Sequence, residues 1–365
     1  MRKRTCIMIS LWIIAALCWA FVFVLRYTNR TAFVHSYDLE SMPGVRMLDP
    51  NAGMFEIIRR EPNRVNVKWL ETKIHVKDDA RLKMRENSKN VKVLGELSNG
   101  KSYPVVIDTG FSGCMAVTDT IVNDAGLSIY PMTDLGHYLV GGLCELSPLK
   151  LDNVTIEQSP CVYWLAHYER RVLGLTTWKE MRINLGLGLM KGFSYICIDN
   201  VDREIKFSAK KAFSPRDESQ WNQYPMVIEP NEKGNVKLMV DIPIAGHLRH
   251  IGFDTGAASG LTLTEKIWTK VSSGLQLVHE EKSRMATPLE GLVPCRRVTV
   301  ELLKLGSISV HGAQVNVTAN NNPFGQDDFT LGMDFLKETV IVLDFESKLL
   351  WIRNPAKSAI SPTNP

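Results

Sequence analysis

The sequences IDTG at 107–110 and FDTG at 253–256 repeat one Asp-Thr-Gly tripeptide, each time at the end of an apolar run. A single Asp-Thr-Gly is ordinary turn material, so one copy alone says little about the fold. The two aspartates, Asp108 and Asp254, are 146 residues apart (254 − 108). If the whole structural unit is repeated, other residues around the two aspartates must also correspond at a spacing of 146.

Two further elements have this spacing. Gly100 and Gly246 precede the two motifs, each between apolar runs, and predict the turn of a hairpin that leads into each aspartate strand. Downstream, LGLGLMK at 185–191 corresponds to LGMDFLK at 331–337. Three elements with one spacing predict two copies of a single β-rich unit.

Aspartates at two equivalent positions suit one kind of chemistry. A carboxylate activates water when it is ionised and polarises a carbonyl group when it is protonated, and one aspartate cannot do both at once. Two carboxyl groups at hydrogen-bond distance can, because their repulsion raises one pKa and the pair shares a proton. We therefore predict that Asp108 and Asp254 form a catalytic dyad, with one aspartate from each half of the chain.

The residues after each aspartate support this prediction. Gly110 and Gly256 permit the tight turn that presents a carboxylate. Thr109 and Thr255 carry hydroxyl groups that can bond to the backbone of the facing loop. We predict that these four residues hold the two active-site loops in place.

With these motifs, the chain resembles the clan of retropepsin-like and pepsin-like aspartic peptidases, in a two-lobed single-chain form. The resemblance covers roughly residues 91–353 and is carried by DTGFSG (108–113), DTGAASG (254–260), LGLGLM (185–190) and LGMDFL (331–336). It implies an all-β fold of two pseudo-symmetric β-barrel lobes with a central cleft. It also implies an endopeptidase that cleaves a polypeptide substrate with water as the nucleophile, without a cofactor or a metal. Thr109 and Thr255 would be the interlocking threonines.

The family covers its cleft with a glycine-containing hairpin, the flap. The resemblance points to Tyr138, Gly141 and Gly142 as the flap of the first lobe. In pepsins the flap tyrosine is adjacent to the glycines, whereas Tyr138 is not.

The first motif departs from the family at Phe111, where a small or hydroxyl side chain is usual. A phenylalanine there could crowd the dyad or line a pocket, whereas Ala257 in the second copy is ordinary. A second hypothesis therefore stays open, in which the chain is a peptidase-like binding or scaffolding protein that lacks the chemistry.

The N-terminus predicts a membrane anchor. Three basic residues at positions 2–4 precede Cys6 to Leu25, twenty residues without a charge, and Arg26 follows. Twenty apolar residues in a helix cross a bilayer core, and the basic cluster favours a cytoplasmic N-terminus, with the lobes on the other side. The alternative is a cleaved signal peptide, but the apolar stretch exceeds the usual length of its core.

Composition shifts divide the chain further. We predict a basic tip and signal-anchor helix at 1–26, a stalk at 27–53, a first lobe at 54–207, a linker at 208–221, a second lobe at 222–353 and a tail at 354–365.

The charge and the side-chain pattern narrow the range of partners. A net charge of +4 over 365 residues argues against a dedicated nucleic-acid surface. The chain contains no Cys-x-x-Cys, and its eight histidines show no metal-ligand spacing. We expect a protein that functions as a monomer, with a polypeptide substrate and a membrane contact through the N-terminal helix.

Overall fold

We describe a computed structural model of the chain. It describes residues 17–24, 30–35, 46–47, 55–61, 64–69, 73–76, 79–86, 90–131, 140–146, 148–164, 166–230, 236–287, 291–320 and 329–353. Over these residues the protein is mostly β-structure, as the sequence predicts.

One sheet of eleven strands contains the first Asp-Thr-Gly. Its strands, in spatial order, are β2 (Arg46–Met47), β10 (Ser128–Pro131), β11 (Val140–Glu145), β14 (Cys161–Trp164), β9 (Met115–Thr118), β17 (Ile183–Gly186), β8 (Ser102–Asp108), β7 (Lys92–Glu96), β12 (Leu149–Leu151), β13 (Val154–Gln158) and β5 (Lys73–Val76).

A second sheet of thirteen strands contains the second Asp-Thr-Gly. Its strands, in spatial order, are β24 (Leu277–Thr287), β25 (Gly291–Leu305), β26 (Ile308–Thr318), β23 (Leu261–Thr264), β27 (Phe329–Leu331), β22 (His247–Phe253), β21 (Val236–Ile244), β20 (Trp221–Pro230), β29 (Leu349–Arg353), β28 (Val340–Asp344), β18 (Tyr195–Asp199), β19 (Glu204–Ser208) and β6 (Ala80–Lys83).

The remaining elements are short. A three-stranded sheet is formed by β1 (Arg30–His35), β15 (Ala166–Val172) and β16 (Leu175–Lys179), and β3 (Phe55–Glu61) pairs with β4 (Arg64–Trp69). The helices are α1 (17–24), α2 (Asp119–Ala125), α3 (Leu187–Met190) and α4 (Glu265–Val271), with 3₁₀ turns at Glu218–Gln220 and Asp334–Leu336. No described helix has the length and apolar character that crossing a bilayer requires.

The repeat has the same strand register in both halves. Leu185 of β17 lies beside Ile107 of β8 in a parallel pair. At positions 146 residues further along, Leu331 of β27 lies beside Phe253 of β22, again in a parallel pair. The helices α2 and α4 begin and end 146 residues apart as well.

Each aspartate directly follows the buried apolar residues at the end of a strand, β8 or β22. Val105, Val106 and Ile107 are at most 1% exposed, because β8 lies between β7 and β17 and its apolar side chains fill the core. The predicted hairpins precede these strands, with Gly100 at φ 75° and Gly246 at φ 83°, a backbone conformation that favours glycine. Burial and the tight turns leave Asp108 and Asp254 at equivalent strand ends.

The larger sheet crosses the predicted lobe boundary. The strands β6 and β18 fall within the predicted first lobe, residues 54–207, and β19 ends one residue beyond it. Yet β18 pairs with β28 along its whole length, and β19 pairs with β6 at the edge of the same sheet. Two strands, β1 and β2, also lie within the predicted stalk and pair with β15 and β10. The polar composition of residues 27–53 did not predict them.

Candidate active site

Two buried threonines join the two Asp-Thr-Gly loops. The N–H of Thr109 donates to Oγ1 of Thr255 (3.0 Å), and the N–H of Thr255 donates to Oγ1 of Thr109 (2.9 Å). Each hydroxyl then donates across the interface to a backbone carbonyl at 2.7 Å, from Thr109 to Phe253 and from Thr255 to Ile107. Both threonines are at most 1% exposed. Four reciprocal hydrogen bonds therefore fix the loops against each other.

This arrangement brings Asp108 and Asp254 together. Their carboxyl groups hydrogen-bond to each other. A β-carbon added to Gly110 would lie 2.5 Å from Cγ of Asp254, and one added to Gly256 would overlap the Asp108 carboxylate. Each glycine therefore provides the space that the opposite aspartate occupies.

The surroundings of Asp254 favour its protonated form. Burial and the charge of Asp108 raise the pKa of Asp254, and the N–H groups of Gly256 and Ala257 lower it. The raising effects are larger, and the pKa is about 7. These two N–H groups donate to Oδ1 of Asp254 at 2.8 and 3.1 Å. At mildly acidic pH Asp254 therefore holds a proton.

The surroundings of Asp108 differ. Burial raises its pKa, but the positive charge of Arg182, the hydrogen bond to Asp254 and the N–H groups of Gly110 and Phe111 all act to lower it. The pair titrates as a unit, and the nearby cation makes Asp108 the better site for the negative charge.

Asn184 also hydrogen-bonds to Asp108, and the sequence analysis did not identify it as a site residue. Its Nδ2 donates to Oδ2 of Asp108 at 2.7 Å, the residue is 1% exposed, and its Oδ1 is buried without a hydrogen-bond partner. The pseudo-equivalent residue is Thr330, since Asn184 lies beside Val106 as Thr330 lies beside Gly252. One polar residue inside the apolar strand INLG was the signal that could have identified it.

Phe111 lies on the first-lobe side of the dyad. Its ring packs against the backbone of Gly113 and Gly186, where any side chain would collide with it. A β-carbon on Gly113 would lie 2.5 Å from Cζ of Phe111, and one on Gly186 would overlap the same ring. The ring also meets Trp164 edge-on, with centroids 5.5 Å apart, and the Arg182 guanidinium lies 5.0 Å from the Trp164 ring centroid. The two aspartates hydrogen-bond to each other with Phe111 in this position.

The predicted flap is described only in part. Gly141 and Gly142 lie on β11, which pairs with β10 and β14 and has an irregularity between Val140 and Gly142. Tyr138 lies outside the described residues, so the flap stays a prediction.

A metal centre finds no support in the described part of the chain. Within these ranges, no group of three or more His, Cys, Asp or Glu side chains is placed to hold a metal ion. None of the six cysteines at described positions forms a disulfide.

Comparison with known proteins agrees with this geometry. Residues 240–335 match the model of the aspartyl protease family, and this range contains the second Asp-Thr-Gly and the first five residues of LGMDFLK (331–337). No curated protein sequence matches the chain. The chain has an aspartic-peptidase-like fold, as the repeated motifs predict.

Similar solved structures are distant. Conglutin gamma, a basic 7S globulin from lupine seeds, is 13% identical over 78% of this chain and 95% of its own, with a TM-score of 0.41. The protein edgp is 10% identical over 77% of this chain and 95% of its own, with a TM-score of 0.44. Basic 7S globulin from soybean is 12% identical over 78% of this chain and 95% of its own, with a TM-score of 0.37.

Proposed function

We propose that the protein is a membrane-anchored aspartic endopeptidase that hydrolyses peptide bonds with water held between Asp108 and Asp254. The observation that carries the proposal is the pair of threonine-locked loops, which holds two hydrogen-bonded carboxyl groups in surroundings that raise the pKa of both. A folded protein keeps such a costly pair mainly where it serves a function.

The two aspartates have different roles in this proposal. Ionised Asp108 takes a proton from water as the water oxygen bonds to the peptide carbonyl carbon. Protonated Asp254 gives its proton to the carbonyl oxygen, so that no free oxyanion forms. As the tetrahedral intermediate collapses, the C–N bond breaks and the proton on Asp108 passes to the leaving amine. One hydroxyl group of the intermediate becomes the new carbonyl and returns its proton to Asp254, which restores the dyad.

The anchor is part of the same proposal. The uncharged stretch Cys6 to Leu25 would span the bilayer with its basic end in the cytoplasm, which places the lobes on the extracytoplasmic side. In the described part of this stretch, helix α1, the apolar side chains are exposed, among them Trp19 (78%) and Phe21 (59%). An exposed apolar helix of this kind suits a lipid environment.

The second candidate is a binding or scaffolding protein with the same fold. Phe111 favours it, because this large side chain stands directly after the first Asp-Thr-Gly, where a small or hydroxyl side chain is usual in the family that the chain resembles.

The pH profile of peptide hydrolysis by the detergent-solubilised full chain tests the proposal. We expect hydrolysis of an unfolded protein substrate at acidic pH, blocked by a pepstatin-type inhibitor. Activity should fall as the pH rises through about 7, because Asp254 then loses the proton that the reaction needs. It should also fall at low pH, where Asp108 becomes protonated. A folded chain that neither hydrolyses substrate nor binds the inhibitor would favour the binding candidate.

Asn184→Leu tests the role of the amide next to the dyad. The Nδ2 group stabilises ionised Asp108, so its removal should raise the pKa of that carboxyl and move the acid limb of the pH profile to higher pH. The loss of a hydrogen bond to a charged group should also lower kcat about tenfold. Thr330→Val is the matched variant in the second lobe, and its acid limb should stay at the wild-type position. An unchanged acid limb in Asn184→Leu would show that this amide only packs in the strand.

A further inference from the structure

The hairpin of β15 and β16, here called the arm, has an exposed apolar end. Leu173 is 52% exposed, Leu175 is 72% exposed and Trp178 is 51% exposed. All five residues of β16 are exposed. The seven residues at 172–178 (VLGLTTW), here called the tip, include no charged side chain. A cluster of large apolar side chains without a cover indicates a contact surface.

The turn of the arm retains a strained leucine. Leu173 has φ 52° and Gly174 has φ 80°, which is the left-handed pair of a two-residue hairpin turn. Asn, Asp or Gly is usual at the first of these positions, and a leucine there costs about 1–2 kcal/mol. Strain of this kind persists where the side chain serves a function. At this exposed turn, the leucine adds only an apolar side chain directed to the surroundings.

The strand pairing places the tip near the predicted membrane span. The first residue of β1, Arg30, lies opposite Arg171, the residue next to the tip. The uncharged stretch ends at Leu25, and five residue steps reach at most about 18 Å. Covalent geometry therefore holds the tip end of the arm close to the point where the chain would leave the bilayer.

Basic residues flank the tip. Arg170 and Arg171 precede it and Lys179 follows it. The buried carboxylate of Glu169 anchors two of these cations, at 2.9 Å from Nε of Arg171 and 3.8 Å from Nζ of Lys179. An apolar end with a tryptophan, bordered by cations, is the side-chain arrangement that suits a bilayer interface.

We propose that the tip of the arm inserts into the bilayer surface on the side where the lobes lie, as a second membrane contact. The inference rests on the anchoring part of the proposed function and is independent of the dyad chemistry. With two contact points, the lobes take one orientation relative to the membrane instead of swinging on a single tether.

Lipid quenching of Trp178 tests this inference in the full chain reconstituted into vesicles. The difference between the tryptophan emission of the wild type and that of Trp178→Phe isolates the arm. We expect this difference spectrum to be present in ordinary lipid and largely lost in vesicles whose acyl chains carry bromine near the headgroup. Trp221→Phe, which removes a partly exposed tryptophan at the start of β20, is the matched control, and its difference spectrum should be the same in both lipids.

The other outcomes overturn the inference in distinguishable ways. Seven tryptophans remain in Trp178→Phe, of which Trp12 and Trp19 lie in the anchor. If bromine quenches part of this remaining emission but leaves the Trp178 component unchanged, the anchor is inserted and the tip is not. If neither component is quenched, the anchor proposal fails together with the inference. If Trp178 is shielded from both brominated lipid and a soluble quencher, a second copy of the chain covers the tip instead. Hydrolysis measured on the same samples reports separately on the dyad.

Discussion

The Asp108→Asn and Asp254→Asn variants are expected to hydrolyse peptides about 100- to 10,000-fold more slowly than the wild type, which is the usual contribution of general acid–base catalysis. An amide at 108 cannot take a proton from water, and an amide at 254 has no acidic proton for the carbonyl oxygen. Each change keeps the shape of the side chain, so the threonine network between the loops should persist.

The measurement is kcat/KM on an unfolded protein substrate at mildly acidic pH, with thermal unfolding of each variant recorded alongside. Asp217→Asn is the control, since Asp217 is an exposed aspartate that caps the 3₁₀ turn at Glu218–Gln220. It should keep wild-type activity. Full activity in either dyad variant would exclude the proposed mechanism.

The Thr255→Val variant is expected to lose about 2–6 kcal/mol of unfolding free energy. Oγ1 of Thr255 accepts the N–H of Thr109 and donates to the carbonyl of Ile107. Valine has the same shape but leaves both backbone groups buried without a partner, and each such group costs about 1–3 kcal/mol. That is a large part of the 5–15 kcal/mol that typically stabilises a folded protein.

Urea unfolding of the solubilised chain measures this change. Thr255→Ser is the matched variant, because it keeps the hydroxyl and removes only one methyl group, and it should lose about 1 kcal/mol. Thr109→Val should cost a similar amount, because it leaves the N–H of Thr255 and the carbonyl of Phe253 without their partners. A Thr255→Val chain as stable as the wild type would mean that the network does not hold the loops together.

The duplicated motif was enough to predict the core of the fold. Burial and turn geometry are local requirements, so Val105 to Ile107 and the turn at Gly246 reveal their structure in the amino-acid pattern itself. The spacing of 146 then related the two halves, and the structure extends it to α2 and α4, which the sequence analysis did not predict.

The environment of the dyad was not predictable in the same way. Arg182 and Asn184 act on Asp108 across a gap of more than seventy residues, and no local pattern reports which distant side chain will meet a carboxylate. Phe111 shows the same limit. The size of its side chain was evident from the sequence. Its ring packs against Gly113 and Gly186, which are far apart in the chain, so the sequence did not show where the ring would lie.

The strands of the stalk and the arm were missed for another reason. All five residues of β16 are exposed, so no buried face imposes an alternation of polar and apolar residues on this strand. Such strands form because a neighbouring strand offers backbone hydrogen bonds, and β15 offers them on both sides.

The larger sheet has a consequence for how the chain responds to a protease. The predicted linker at 208–221 joins β19 to β20 along the chain. A cut in this linker would leave β18 on the N-terminal fragment and β28 on the C-terminal fragment. These two strands are paired through five residue pairs. Phe213, within the linker, also packs edge-on against Tyr195, which precedes the linker in the chain, and against Trp351, which follows it. A nick in this segment would therefore yield two bands on a denaturing gel from a molecule that is still one particle in solution. Severing the covalent chain would not separate its halves.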